Sequence, residues 1–128
     1  MPNASKLTIV LVEDDQATID ALRVRFVKEG FRVIRAKNGV EGLRKIERER
    51  PDIILLDLVM PVMDGLTMLE KLRATPWGEA LPVIVLTNWS EVEKIEHALR
   101  GGVYDYLVKT DWTLDAVVRK VKDRLNAP

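Results

Sequence analysis

Acidic residues stand directly after apolar runs in this chain: Glu13, Asp14 and Asp15 follow residues 7–12, and Asp57 follows residues 53–56. Thr87 closes a third run at 83–86, and Lys109 follows a fourth at 104–108. Carboxylates held close together repel unless a cation or a proton sits among them, and a hard divalent ion resolves that conflict. Magnesium takes oxygen ligands, keeps several waters and commonly uses one or two carboxylates together with a phosphate. With no cysteine in the chain, nothing argues for the soft ligand sets that select zinc or iron. A hydroxyl from Thr87 and an ammonium from Lys109 suit the remaining oxygens of a phosphoryl group. Positioning and charge neutralisation are most of what phosphoryl transfer asks of a protein, which leaves Asp57 as the nucleophile.

For these residues to meet, the runs that carry them must be parallel strands ending on one edge. Five short aliphatic segments recur, at 7–12, 31–36, 53–56, 83–86 and 104–108, each followed by a helical pattern. Their starts are 21 to 30 residues apart, the length of a strand plus a crossover helix rather than a hairpin. The first, third and fourth are nearly continuous aliphatic, as in strands covered by helices on both faces. In such a sheet, ligands bind at the carboxyl ends of the strands, where strand order reverses. A (βα)5 unit is therefore expected.

The helices carry their own punctuation. The first is expected from about Gln16 to Glu29, with Gly30 ending it in a left-handed conformation. Asn38 with Glu41, and Ser90 with Glu93, have capping-box spacing and mark the starts of the second and fourth helices. Val40, Leu43 and Ile46 are expected on the buried face of the second. The fourth ends at Gly101 and Gly102, and Leu114, Val117, Val118, Val121 and Leu125 mark the fifth. The other face of that last helix, rich in Lys, Arg and Asp, reads as a solvated surface. Pro76 and Pro82 bracket Trp77 and Gly78 in a longer loop. His97 has no partner motif, and Met60, Met63 and Met68 read as packing residues.

Composition narrows the function classes. The chain has 128 residues, 47% of them apolar, with 20 Lys plus Arg against 20 Asp plus Glu. One hydrophobic core is the default at this length. A net charge of zero speaks against binding to nucleic acid through phosphate neutralisation. No run approaches the ~18 apolar residues of a membrane helix, and residues 1–6 lack the pattern of a secretion signal. No membrane role is expected, and the cytoplasm is the expected location. No linker divides the chain, so residues 1–128 are expected to be one domain with no effector domain.

Val12-Glu13-Asp14-Asp15, the stretch from Asp57 through Met60-Pro61 to Met63-Asp64-Gly65, Thr87, and Asp105-Tyr106-Leu107-Val108-Lys109 together resemble the receiver domain of bacterial two-component response regulators. The resemblance covers essentially the whole chain. It implies a flavodoxin-like three-layer α/β sandwich with a parallel sheet of order 2-1-3-4-5. It implies that Asp57 accepts a phosphoryl group from the phosphohistidine of a sensor histidine kinase or a histidine phosphotransfer protein, as in a phosphorelay. Glu13 and Asp14 would hold Mg2+ with Asp57 and the backbone carbonyl of Val59, Asp15 being the third acid and not a direct ligand. Thr87 would hydrogen-bond the phosphoryl group, Lys109 would pair with it, and Tyr106 matches the aromatic that turns inward when Thr87 moves. The implied product is a signalling switch rather than an enzyme, read by a downstream protein through the fourth helix, fifth strand and fifth helix.

Some residues depart from the family pattern. Thr110 stands where a proline usually follows the lysine, and a trans Lys109-Thr110 bond is expected, because a non-proline cis bond costs about 3 to 4 kcal/mol. Asn88 and Trp89 follow Thr87 where a small residue is common, and with Val59 they favour a long-lived phosphorylated state. The rival from another class is a haloacid-dehalogenase-like, metal-dependent phosphohydrolase or phosphotransferase. Such enzymes carry a second Asp two residues after the nucleophile, where this chain has Val59.

Overall fold

The computed structural model describes residues 6–58, 62–87, 105–108 and 113–127. β1 (Thr8–Val12) and β3 (Ile53–Asp57) are buried at every position, as their nearly continuous aliphatic sequences require of strands covered on both faces. β4 (Val83–Thr87) continues the pattern, with Val83, Ile84, Val85 and Leu86 all buried. β2 (Arg32–Ala36) and β5 (Asp105–Val108) are only partly buried and lie at the two edges. The five strands form one parallel sheet of order β2-β1-β3-β4-β5. Each observed strand starts and ends within one residue of its expected position.

Alternate strand residues feed two cores. Ile9, Leu11, Ile53, Leu55, Ile84 and Leu86 face α1 (Gln16–Lys28) and α4 (Leu114–Leu125). Val10, Val12, Ile54, Leu56, Val83 and Val85 face α2 (Gly39–Glu49) and α3 (Gly65–Arg73). The result is the expected three-layer sandwich, with four helices among the described residues. The fourth helix expected from Ser90, together with His97, Gly101 and Gly102, lies outside them, as do Met60, Asn88, Trp89 and Thr110.

α1 ends as its glycine dictates. Gly30 has φ +94°, its N–H donates to Val27 O, and the Phe31 N–H reaches back to Phe26 O. This pairing satisfies the last carbonyls of the helix and folds Phe31 onto Phe26, ring edge to ring face at 5.4 Å. α2 begins as expected, Asn38 Oδ1 accepting from the Glu41 N–H at 2.9 Å. Of the apolar face expected there, Ile46 is buried and Leu43 packs on the core, but Val40 is half exposed, and Gly39 and Gly42 are buried in its stead. The two glycines let the helix axis come close to Met63, Met68 and Val12, a proximity that the side chain of Val40 could not share. Met63 and Met68 pack in the core as expected.

The charged face of α4 is in part a helix–helix seam rather than a solvated surface. Lys122 and Arg25 share the Glu29 carboxylate at 2.5 and 3.1 Å, and Arg25 also reaches Asp115 at 2.6 Å. Lys120 ties the helix to Asp105 of β5 at 2.5 Å. The loop between α3 and β4 is held by Arg73, which donates to the carbonyls of Gly78 and Leu81, each at 2.7 Å. Trp77 of that loop packs on the core beneath the Arg50 guanidinium, 4.9 Å from the ring centre. Among the described residues no helix is long and apolar enough to cross a membrane.

Candidate functional site

β1 and β3 are neighbours at the centre of the sheet, so residues at their carboxyl ends converge. Val12 pairs with Leu56, which sets Glu13 and Asp14 beside Asp57. One carboxylate oxygen from each of Glu13, Asp14 and Asp57 lies within 4.8 Å of the others. Glu13 is 1% exposed and Asp57 4%, whereas Asp14 faces solvent. Two unit negative charges that close repel by about 3 to 4 kcal/mol at an effective dielectric constant near 20. All the donors are hard carboxylate oxygens, the set that suits Mg2+, and the open side at Asp14 leaves room for water and a ligand.

Local structure holds this cluster from both strands. Glu13 Oε2 accepts from the backbone N–H groups of Asp14 (3.0 Å) and Asp15 (3.2 Å). Its own N–H donates to Ala36 O at the end of β2. The start of α3 lies against the end of β3: the Gly65 N–H donates to Leu58 O at 2.9 Å, and Asp64 Oδ1 caps α3 by accepting from the Thr67 N–H at 2.8 Å. Asp64 and Gly65 thereby bring the start of α3 against the strand that carries Asp57.

The other expected site residues are placed in part. Thr87 ends β4, paired in register with Val108 of β5; Lys109, the next residue, and Val59 lie outside the described residues. Tyr106 is half-buried, opposite Val85, and packs on the core shared with α2 and α3. Asp15 does not join the cluster: its carboxylate accepts from the Thr18 N–H and Oγ1 at 3.0 and 2.6 Å and caps α1. The sequence signal for this job is the three-residue spacing of Asp15 and Thr18 ahead of a helical pattern, repeated by Asp64 and Thr67.

A family model for the response regulator receiver domain matches residues 9–122. The chain belongs to that family. Response regulator MprA of Mycobacterium leprae (strain TN) is 36% identical over 116 residues, which span 91% of this chain and 50% of MprA. Among solved structures, a CheY-like response regulator receiver domain protein from Methanospirillum hungatei JF-1 superposes with a TM-score of 0.87 at 30% identity, covering 95% of each chain. The receiver domain of sensor histidine kinase PA1611 from Pseudomonas aeruginosa PAO1, which has a magnesium ion coordinated in its active site cleft, gives a TM-score of 0.80 at 31% identity, covering 96% of this chain and all of that one. The receiver spans about half the length of MprA, and it is a response regulator receiver domain of the two-component type. The dehalogenase-like alternative finds no support in these matches.

Proposed function

We propose that this receiver takes a phosphoryl group onto Asp57 with Mg2+ bound, and passes the event to another protein through a change in its β4–β5 side. The convergence of Glu13, Asp14 and Asp57 within 4.8 Å carries the proposal. The residues that would hold the ion are those three carboxylates and the Val59 backbone carbonyl. When bound, Mg2+ offsets the repulsion among the acids and neutralises phosphoryl charge. An Asp57 carboxylate oxygen forms the new P–O bond as the P–N bond of a phosphohistidine breaks, and the departing imidazole keeps the electron pair and takes a proton from solvent. Lys109 pairs with the transferred group and Thr87 hydrogen-bonds it, and Tyr106 follows Thr87 inward.

The donor is a sensor histidine kinase or a histidine phosphotransfer protein, in the cytoplasm. The reader is a protein that meets β5, α4 and the segment between β4 and β5. The receiver contributes to its own phosphorylation and dephosphorylation but turns over no external substrate. Incubation with acetyl phosphate tests this assignment: a single Mg2+-dependent adduct per chain is expected, with no steady hydrolysis of phosphate monoesters. Sustained monoester turnover without a stable adduct would overturn it.

A further inference from the structure

Asp15 belongs by position to the acidic run, but its two ends do different work. Its carboxylate is committed to the first turn of α1 through the Thr18 N–H and hydroxyl. Its backbone N–H points the other way, onto Glu13 Oε2, beside the N–H of Asp14. A single residue therefore touches the helix with its side chain and the acidic cluster with its main chain. Glu13 is a long side chain with three rotatable bonds, almost wholly buried, and the two N–H donors hold one of its carboxylate oxygens in place. Those donors sit on the short link between β1 and α1, where Asp15 is extended (φ −79°, ψ 114°). The orientation of that link depends on how it is fastened to the helix.

We propose that Asp15 is a positioning residue for Glu13: by capping α1 it fixes the N–H groups of Asp14 and Asp15 on Glu13 Oε2, and so presets the carboxylate for a divalent cation. The proposal rests on Glu13 as a Mg2+-binding acid. Groups that orient a metal ligand without touching the metal typically contribute 10- to 100-fold to affinity. Asparagine caps a helix as well as aspartate does, whereas alanine does not. Charge and capping are therefore separable at this position.

Calorimetric titration of the full chain with Mg2+ alone tests it. Asp15→Ala should weaken binding about tenfold, and Asp15→Asn should stay within about twofold of the wild type because the cap persists. Asn38→Ala, which removes the cap of α2 instead, should lower thermal stability comparably and leave Mg2+ affinity unchanged, so that a loss of stability alone does not mimic the effect. Equal weakening in Asp15→Asn and Asp15→Ala would make Asp15 an electrostatic or direct contributor and overturn the proposal. Wild-type affinity in a folded Asp15→Ala chain would overturn it as well. A Glu13→Gln chain that binds Mg2+ like the wild type would remove the premise about Glu13, a result distinct from a failure at Asp15.

Discussion

Gly65 lies directly against the backbone of Asp57. A Cβ at Gly65 would stand 2.6 Å from the Asp57 carbonyl oxygen and 2.7 Å from Leu58 Cα, closer than nonbonded atoms approach. The helix that follows the site is therefore seated on the strand that supplies Asp57, at a place where only hydrogen fits. The atoms in the way are backbone and cannot turn aside as a side chain would.

Gly65→Ala should thus separate α3 from β3, at a cost of about 1 to 3 kcal/mol, the usual range for forcing an extra methyl into packed surroundings. The midpoint of urea unfolding would fall, and Mg2+ binding would weaken because Asp57 is displaced from Glu13 and Asp14. Unchanged unfolding and Mg2+ affinity would show that the junction yields without strain.

Val62 presents the opposite case, a residue with a Cβ where none is favoured. Its φ is +71° and the residue is 83% exposed, so a β-branched residue holds a left-handed conformation with little burial in return. That conformation costs an L-residue roughly 1 to 2 kcal/mol, and asparagine tolerates it better. Val62→Asn should raise stability by about 0.5 to 1 kcal/mol in urea or thermal unfolding. A decrease would show that Val62 makes a compensating contact.

Three carboxylates held in ion pairs are expected to contribute to the acid limb of the stability profile. Hydrogen bonds from Lys122 and then Arg25 hold Glu29 below the ordinary value of 4.5; Lys45 does the same for Glu41, and Arg32 with Arg48 for Glu49. A carboxylate with a lowered folded-state pKa stabilises the fold above its unfolded value, and this is lost as pH falls through the lowered one. Stability should hold near neutrality and fall below about pH 4.5, less steeply at high salt. Glu29→Gln should shallow the fall in melting temperature on the acid side. An identical acid limb in that variant would exclude the Glu29 cluster from it.

The sequence exposed the sheet because burial on both faces leaves unbroken aliphatic runs, as in β1, β3 and β4. Edge strands β2 and β5 were legible from spacing more than from composition, since Arg32, Arg35 and Asp105 interrupt them. The order of the strands is implied by the receiver resemblance rather than by spacing; with β1 and β3 as neighbours, Glu13, Asp14 and Asp57 meet at their carboxyl ends. Less legible was anything set by what packs on top. The orientation of α2 depends on Gly39 and Gly42 meeting Met63, Met68 and Val12, and a helical period that counts apolar side chains places Val40 inward instead. The seam of Arg25, Glu29, Asp115 and Lys122 is hidden in the sequence for a related reason, because a charged stripe has the same pattern whether it meets water or a neighbouring helix.

Coupling between phosphorylation and output is expected to run through Lys109. Lys109→Ala should still accept some phosphoryl group, because Asp57 and the acids proposed to hold Mg2+ are intact, yet fail to change conformation. Hydrogen exchange across residues 88–108, with and without acetyl phosphate, measures this. A full phosphorylation-dependent change in the variant would remove Lys109 from the switch.

Intact mass spectrometry of the chain after exposure to acetyl phosphate tests the role of Asp57 most directly. The wild type should gain one phosphoryl group in Mg2+, lose that gain under chelation, and show none when Asp57 is replaced by asparagine. Undiminished labelling of Asp57→Asn would place the phosphoacceptor elsewhere and contradict the account.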